Sequence, residues 1–381
     1  MNNGEIEVSV VMPCLNEELT IGKCIEKCKR AFNEKKIAGE IVVSDNGSTD
    51  RSVEIASSLG ARVVYQPKKG YGNAYRKGIE AASGKYIVMG DSDDTYDFFE
   101  IESFVQLLKE GFDFVIGSRF KGKILANAMP WPNRYIGNPI LSGMLRLFFH
   151  TKISDAHCGM RSFTKEAYEK MNLKTTGMEF ASEMVVNALR AKLKIKEIPI
   201  TYHPRLGESK LNAFKDAWRH IRFMLLYSPT YLYLVPGMFL MGLGIVIQIG
   251  IWLGIIKIFG HTFDTHSMVF GSFLIVLGFQ ILNLGFYAKT YAFTEGFEET
   301  NKALNALYKY FRLEQGLLAG SCLFLLGLIL GIFILIKWAQ NQFGPLAEMK
   351  LALLSLTLAI IGVQIIFSSF FLSMLGIEKR Q

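Results

Sequence analysis

The chain has 381 residues, half of them hydrophobic, and its 42 Lys and Arg against 34 Asp and Glu leave a formal net charge of +8. Up to about Ser228 the sequence mixes charges, glycines and short apolar runs, whereas long apolar stretches dominate beyond it. A wholly soluble protein, a disordered chain and a disulfide scaffold are thereby excluded.

The N-terminus, Met1-Asn-Asn-Gly-Glu, lacks the basic-then-apolar pattern of a signal peptide, so the part ahead of the apolar stretches is expected to stay in the cytoplasm. Its elements alternate. Glu7–Pro13 reads as a strand and Asn16–Asn33 as a helix, Glu40–Ser44 as a strand and Thr49–Leu59 as a helix, Ala61–Tyr65 as a strand and Tyr71–Ala82 as a helix. Lys85–Gly90, Phe112–Ser118 and Ile195–Tyr202 add further strands. This alternation predicts an α/β domain with a mostly parallel sheet, whose ligands sit beyond the carboxyl ends of the strands. The cysteines, Cys14, Cys24, Cys28, Cys158 and Cys322, show no zinc spacing and fit a reducing compartment.

Further on, Leu211, Phe214, Trp218, Ile221 and Leu225 recur at helical spacing, with Lys215, Arg219 and Arg222 off the stripe. That predicts an amphipathic helix in the headgroup plane, its cations toward anionic lipid. Four apolar stretches follow, at about 231–256, 268–293, 316–338 and 351–376, each long enough for a hydrocarbon core that needs about 20 helical residues. A second amphipathic segment, with Leu304, Leu307, Tyr308 and Phe311 beside Lys302, Lys309 and Arg312, separates the middle two. The expected domains are therefore an α/β unit at 1–210, a juxtamembrane helix at 211–228 and a membrane domain at 229–381. Lys and Arg gather before the first span, between the second and third, and at Lys379-Arg380, which predicts both termini inside. Gly250-xxx-Gly254 and Gly327-xxx-Gly331 suit close helix contact, and Gln248, Gln280, Asn283 and Gln364 suit bonds between helices. No intramembrane acid or base pair marks a transport path.

Acids and amides collect at three strand ends: Pro13-Cys14-Leu15-Asn16-Glu17 after the first strand, Asp45-Asn46-Gly47-Ser48-Thr49-Asp50 after the second, and Asp91-Ser92-Asp93-Asp94 after the fourth. Taken singly, Asn16 and Thr49 read equally as helix N-caps, and Asp45-Asn46-Gly47 as a turn. Together they mark a ligand site. Asp91-x-Asp93 suits a hard divalent cation on a diphosphate: carboxylate and phosphate oxygens fill the shell, and the metal offsets charge growing on the leaving group. The stretch Lys68-Lys69-Gly70-Tyr71-Gly72 after the third strand adds small residues that allow close backbone approach. Its sixth position from Gly70 is Tyr75, so it is not a dinucleotide fingerprint, and no P-loop occurs.

In this order and spacing the Pro13–Glu17, Asp45–Asp50, Gly70–Ala74 and Asp91–Asp94 motifs resemble family-2 glycosyltransferases of the GT-A fold. Gly117-Ser118-Arg119, Asn133-Arg134, Ser154-Asp155 with Cys158-Gly159-Met160-Arg161, and Arg205-x-Gly207-x-Ser209-Lys210 are similar to the polyprenyl-phosphate branch, that of dolichyl-phosphate mannose or glucose synthases and undecaprenyl-phosphate glucosyltransferases. The resemblance covers about residues 6–228. It implies that Pro13, Leu15, Glu17 and Asp45 line the nucleoside pocket, with Asp45 reading the base. Lys69, Gly72 and Ser92 join the donor-binding set, and Asp91 and Asp93 hold Mg²⁺ or Mn²⁺. Arg119 and Arg134 bind the lipid phosphate, and Asp155 is an acid near the sugar, either an orienting group or a base. Arg205, Ser209 and Lys210 belong to a loop that closes over the diphosphate. The family often has two acids where this chain has Asp45-Asn46, and a Leu-Gln where Asp94-Thr95 follows the second metal acid. The third metal ligand is thus open, with Asp94 a candidate.

The implied reaction is inverting transfer of a hexose, glucose from a uridine donor or mannose from a guanosine donor, to a polyprenyl phosphate. The partners are the nucleotide sugar, the lipid phosphate and the membrane, with no nucleic acid and with self-association left open. A processive polysaccharide synthase is the nearest alternative, but its Gln-x-x-Arg-Trp motif is absent and Trp218-Arg219 is reversed. A non-catalytic scaffold or transport subunit with a nucleotide-sugar pocket is the other.

Overall fold

The computed structural model describes residues 6–207, 213–254, 257–258, 261–262, 265–294 and 313–376. The chain divides into two units, Met1–Tyr227 and Ser228–Gln381.

In the first unit seven strands form one sheet: β1 (Val8–Cys14), β2 (Gly39–Asp45), β3 (Arg62–Tyr65), β4 (Tyr86–Met89), β5 (Phe114–Ile124), β6 (Arg161–Thr164) and β7 (Ile195–Tyr202). Their order is β3-β2-β1-β4-β6-β5-β7. β1 lies between β2 and β4, parallel to both, and every position but Pro13 is buried. A strand covered on both faces reads as a continuous apolar run, which is why its position was legible. β5 runs past the predicted Ser118 to Ile124.

β6 has no counterpart in the sequence prediction. It is four residues long, antiparallel to both β4 and β5, and opens on the fully buried Arg161. That guanidinium is matched by the carbonyls of Ala156, Cys158 and Ala181, each at 2.7 Å, so its burial leaves no donor stranded in those directions.

The helices of this unit are α1 (Ile21–Lys35), α2 (Ser52–Ser58), α3 (Tyr71–Ala81), α4 (Ile101–Lys109), α5 (Asn138–Phe149), α6 (Lys165–Met171), α7 (Phe180–Arg190) and α8 (Ala213–Leu226). Ile21 and Ile25 of α1, Tyr75 of α3, Phe104 of α4 and Met184 of α7 join the strands in one core. α1 and α2 begin later than expected, because Asn16 and Thr49 do not cap them. Asn16 sits at φ 53°, its Oδ1 accepts from the Thr49 N–H at 2.7 Å, and its own N–H donates to Ser48 Oγ at 2.9 Å. The Glu17 N–H likewise donates to Ser52 Oγ at 2.7 Å, and the Arg51 N–H to Glu18 at 3.1 Å. The loops after β1 and β2 are thereby stitched into one platform.

The second unit has four helices long and apolar enough to cross a membrane, Thr230–Trp252, His266–Phe293, Leu313–Gln340 and Met349–Leu375. A Cβ on Gly244 would stand 2.6 Å from the Gly271 carbonyl, and one on Gly327 2.7 Å from the Ser355 carbonyl, so small residues do set these crossings. Gly254 instead lies beyond its helix at φ 67° with open space around it. The first crossing uses Gly237 and Gly244, and Gly254 of the predicted pair takes no part in it. Gln364 donates to Gln280 at 3.2 Å and Gln248 to Ser272, both between helices. The second amphipathic segment and Lys379-Arg380 lie outside the described residues.

Candidate active site

At the carboxyl ends of β1 and β4 opens a cleft of about 330 Å³, lined from the predicted set by Pro13, Leu15, Glu17, Lys69, Asp91, Ser92, Asp93 and Arg205. The Asp91 Oδ1 accepts from the hydroxyls of Tyr71 and Tyr75, each at 3.0 Å. A Cβ at position 159 would lie 2.6 Å from its Oδ2, so Gly159 makes room for the carboxylate. Burial, and after it the charge of Asp93, push the Asp91 carboxyl up to about 6, against the pull of the two tyrosine hydroxyls. The Asp93 Oδ1 accepts from the Thr95 N–H at 3.2 Å and from its hydroxyl at 2.6 Å. Its Oδ2 faces Arg205 Nη1 at 3.2 Å, while Arg205 Nη2 donates to Glu17 at 2.7 Å. One guanidinium thus neutralises acids from two strand ends.

Two carboxylates beside one guanidinium, with Asp91 raised partly by the Asp93 charge, offer hard oxygen donors of the kind a divalent cation takes. Among the described residues no group of three or more His, Cys, Asp or Glu could hold a metal. Mg²⁺ commonly takes one or two protein carboxylates and leaves the remaining positions to water and substrate oxygens.

Other predicted residues serve differently. Asp45 does not line the cleft; its carboxylate accepts the N–H groups of Gly47 and Ser48, each at 3.1 Å, and closes the turn. Asn46 lines it instead, its amide fixed on the Gln66 and Lys68 carbonyls and on the Gly70 N–H. Gly72 also falls outside the lining. A Cβ there would stand 2.6 Å from the Thr175 carbonyl, so the glycine admits the chain's own loop rather than a ligand. Asp94, the candidate third ligand, is ion-paired with Lys27 at 2.7 Å. Ser209 and Lys210 lie outside the described residues.

Arg119 and Arg134 come together in a second cavity, also of about 330 Å³, with Phe120, Gly122, Ile124, Tyr135 and Pro139. Arg119 forks onto Asp155: Nε donates to Oδ2 and Nη2 to Oδ1, both at 2.7 Å, and the Arg119 backbone N–H adds a third bond at 3.0 Å. Asp155 is fully buried and Arg119 nearly so. Burial alone would weaken the guanidinium's hold on its proton, but the Asp155 charge outweighs that and carries its pKa well above the ordinary range. Behind the pair, Glu197 accepts from the N–H groups of Ser154 and Asp155, each at 2.9 Å, and pairs with Lys121. The rim is apolar and open: Trp131 and Tyr135 are 63% and 57% exposed, Ile136 is exposed just ahead of α5, and Ile140 and Leu147 are exposed on it. Tyr202 links the two cavities, its ring under the Arg119 guanidinium at 5.2 Å and against Tyr96 at 5.5 Å, while the Tyr96 hydroxyl accepts from the Gly159 N–H at 2.7 Å.

Sequence reasoning did not find Glu197, or the Gly177-Met178 wall of the cleft, which Glu183 anchors through the Lys174 and Thr175 N–H groups. It also turned α8 the wrong way in one respect. Phe214 and Trp218 are exposed, as the stripe predicts, but Arg219 lines the cleft together with Asp216 rather than facing outward with Lys215 and Arg222. Phe223 and Met224 of the same helix are core residues, and His220 is buried beside Ser182, 2.8 Å from its hydroxyl. His157, 3.1 Å from the same hydroxyl, packs edge-on to His220.

Residues 9–171 match glycosyl transferase family 2, and residues 286–376 match the glycosyltransferase family 2 C-terminal transmembrane region. A curated relative, the low-salt glycan biosynthesis hexosyltransferase Agl6 of Haloferax volcanii, is 41% identical over 374 residues, 97% of this chain and 89% of its own. A dolichyl-phosphate hexose transferase of the same organism is 33% identical over 210 residues, 55% of this chain and 88% of its own. A crystal structure of glucosyl-3-phosphoglycerate synthase from Mycobacterium tuberculosis, with Mn²⁺, UDP and glucosyl-3-phosphoglycerate, aligns at a TM-score of 0.48 and 22% identity over 57% of this chain and 78% of that one.

Proposed function

The chain belongs to glycosyltransferase family 2, and on that premise we propose that it transfers a hexose from a nucleotide-diphosphate sugar to a polyprenyl phosphate, dolichyl or undecaprenyl, at the membrane surface. The reading is carried by one observation: an acid-paired cleft and a two-arginine cavity with an exposed apolar rim occur in one unit, joined through Tyr202, Tyr96 and Gly159. The names of the two relatives, a hexosyltransferase and a dolichyl-phosphate hexose transferase, support the hexose and the acceptor. UDP-glucose is the favoured donor, and GDP-mannose is the alternative. The soluble unit and both termini are assigned to the cytoplasm by the distribution of Lys and Arg around the spans.

Asp91 and Asp93 would hold Mg²⁺ or Mn²⁺, which when bound neutralises charge on the leaving diphosphate. Pro13 and Leu15 border the nucleoside, with Asp45 holding the turn beneath it. Arg119 and Arg134 bind the acceptor phosphate and offset its repulsion from the diphosphate. A lipid phosphate is already an oxyanion near neutral pH, so no base has to activate it. Asp155, fully engaged with Arg119, acts by holding that guanidinium in register. An acceptor oxygen bonds to the sugar's anomeric carbon as the bond to the diphosphate breaks and the nucleoside diphosphate leaves. One displacement turns an α-linked donor into a β-linked lipid product.

The test is transfer of labelled sugar from a panel of nucleotide sugars to a short polyprenyl phosphate in detergent. A metal-dependent, solvent-extractable glycolipid is expected. Asp93→Asn should abolish turnover, whereas Arg134→Ala should raise the acceptor KM and leave donor binding in place. No extractable product with any donor would overturn the reading, and a polymer would indicate a synthase.

A further inference from the structure

We propose that Arg219, on α8, is a ligand of the donor's diphosphate, so that the helix presenting Trp218 to the surroundings is also a wall of the nucleotide site. The proposal rests on the donor-site reading above.

α8 has two faces with different surroundings. Phe214 is 86% exposed and Trp218 55% exposed. On the other side, His220, Phe223 and Met224 are buried, and one turn earlier Asp216 and Arg219 line the same cleft as Asp91, Asp93 and Arg205. Residues spaced by three and four share a helix face, so the core contacts of residues 220, 223 and 224 fix the direction in which 216 and 219 point. Arg219 is not there by a rotation of convenience.

Arg219 is only partly engaged within the chain. The pairing with Asp216 is through one nitrogen at 3.3 Å, and the Arg219 side chain keeps 40% of its surface exposed. Arg205, by contrast, is committed to Glu17 and Asp93 and is 21% exposed. A guanidinium carries five N–H donors in a planar fork that matches two phosphate oxygens. With Asp91 and Asp93 as the residues that would hold a divalent ion, the cations of the lining that would remain for phosphate oxygens are Lys69, Arg205 and Arg219. Lys215 and Arg222, the neighbouring cations on α8, are exposed and do not line the cleft.

The experiment is calorimetric titration of the full chain in detergent with Mn²⁺ and, in turn, UDP, UMP, GDP and GMP. Arg219→Gln is expected to cost about tenfold in affinity for the preferred diphosphate, the usual scale of one charge-assisted hydrogen bond, and to leave the matching monophosphate nearly unchanged. Arg219→Lys, which keeps charge and loses the fork, should fall between, and it decides the matter if the glutamine variant melts early. Arg222→Gln should bind like the wild type. Equal losses for diphosphate and monophosphate, or no loss for either, would overturn the assignment of Arg219. A wild-type chain that binds none of the nucleotides would overturn the donor-site reading itself, a result separable from the others.

Discussion

Asp155→Asn separates two roles that a carboxylate near an anomeric carbon can play. In the wild type both carboxylate oxygens take a guanidinium nitrogen at 2.7 Å, one also takes the Arg119 backbone N–H, and neither partner is more than 8% exposed. The asparagine would keep one acceptor and turn an NH₂ group toward a guanidinium N–H, leaving a buried cation without its counter-charge. Breaking a buried pair on one side costs about 3–5 kcal/mol, which for a unit of this size lowers the melting temperature by roughly ten degrees or more. Thermal melting in detergent and glycolipid formation should therefore fall together. Replacing both partners, as Arg119→Met with Asp155→Leu, removes the stranded charge; stability should largely return while acceptor use stays lost. An Asp155→Asn chain that melts like the wild type but has lost turnover would refute the positioning argument and make the residue a base. One that keeps both properties would refute any role for the fork.

The remaining predictions concern the cleft wall and acid. Gly72→Ala places a Cβ 2.6 Å from the Thr175 carbonyl and 3.1 Å from the Phe180 Cβ. It should cost about 1–3 kcal/mol by overpacking and weaken nucleotide binding by shifting the Gly177-Met178 wall, as melting and calorimetry would read. Burial, aided by Arg161 and Arg219, depresses His220 to about 4, and burial with its neighbours His220, Arg161 and Arg119 depresses His157 well below the usual imidazole value. The unfolded chain therefore takes up these protons first, so this stability is present above pH 6.5 and is lost as pH falls toward 4, by about 1.4 kcal/mol per histidine per pH unit. Asp91, raised to about 6, opposes one of the two protons below that pH. His220→Gln should flatten the fall in melting temperature between pH 6.5 and 5; an unchanged slope would refute the assignment.

The elements that sequence periodicity located are those buried on two faces or exposed on one. β1, β2 and β4 are apolar runs because helices and neighbouring strands cover them, and the acids that follow β1 and β4 line the cleft as parallel-sheet logic requires. β6 escaped because a strand of four residues headed by a buried arginine has neither an apolar run nor an alternation. Asn16 and Thr49 have the composition of helix caps, yet their hydrogen bonds run to each other's loops across 33 residues of chain, a separation local propensity does not sense. The Arg119–Asp155 fork spans 36 residues and the Glu197 support behind it 42; each residue type was noticeable alone, but the pairing exists only in the folded sheet.

α8 marks the boundary of this kind of reading most sharply. A period of 3.6 residues assigns one side of a helix to apolar surroundings and the other to polar ones. Here the apolar stripe through Phe214 and Trp218 is the exposed side, and the polar remainder divides again, Lys215 and Arg222 outward, Asp216 and Arg219 into a cleft, His220 into the core. No moment calculated around one helix distinguishes a cation meant for headgroups from one meant for a bound diphosphate, since both lie off the stripe and both seek phosphate oxygens. What separates them is the rotation imposed by His220, Phe223 and Met224 against the sheet-bearing core. Two cations of one helix that composition cannot tell apart thus have different surroundings, Arg219 in the cleft and Arg222 at the surface, and packing rather than sequence composition decides which is which.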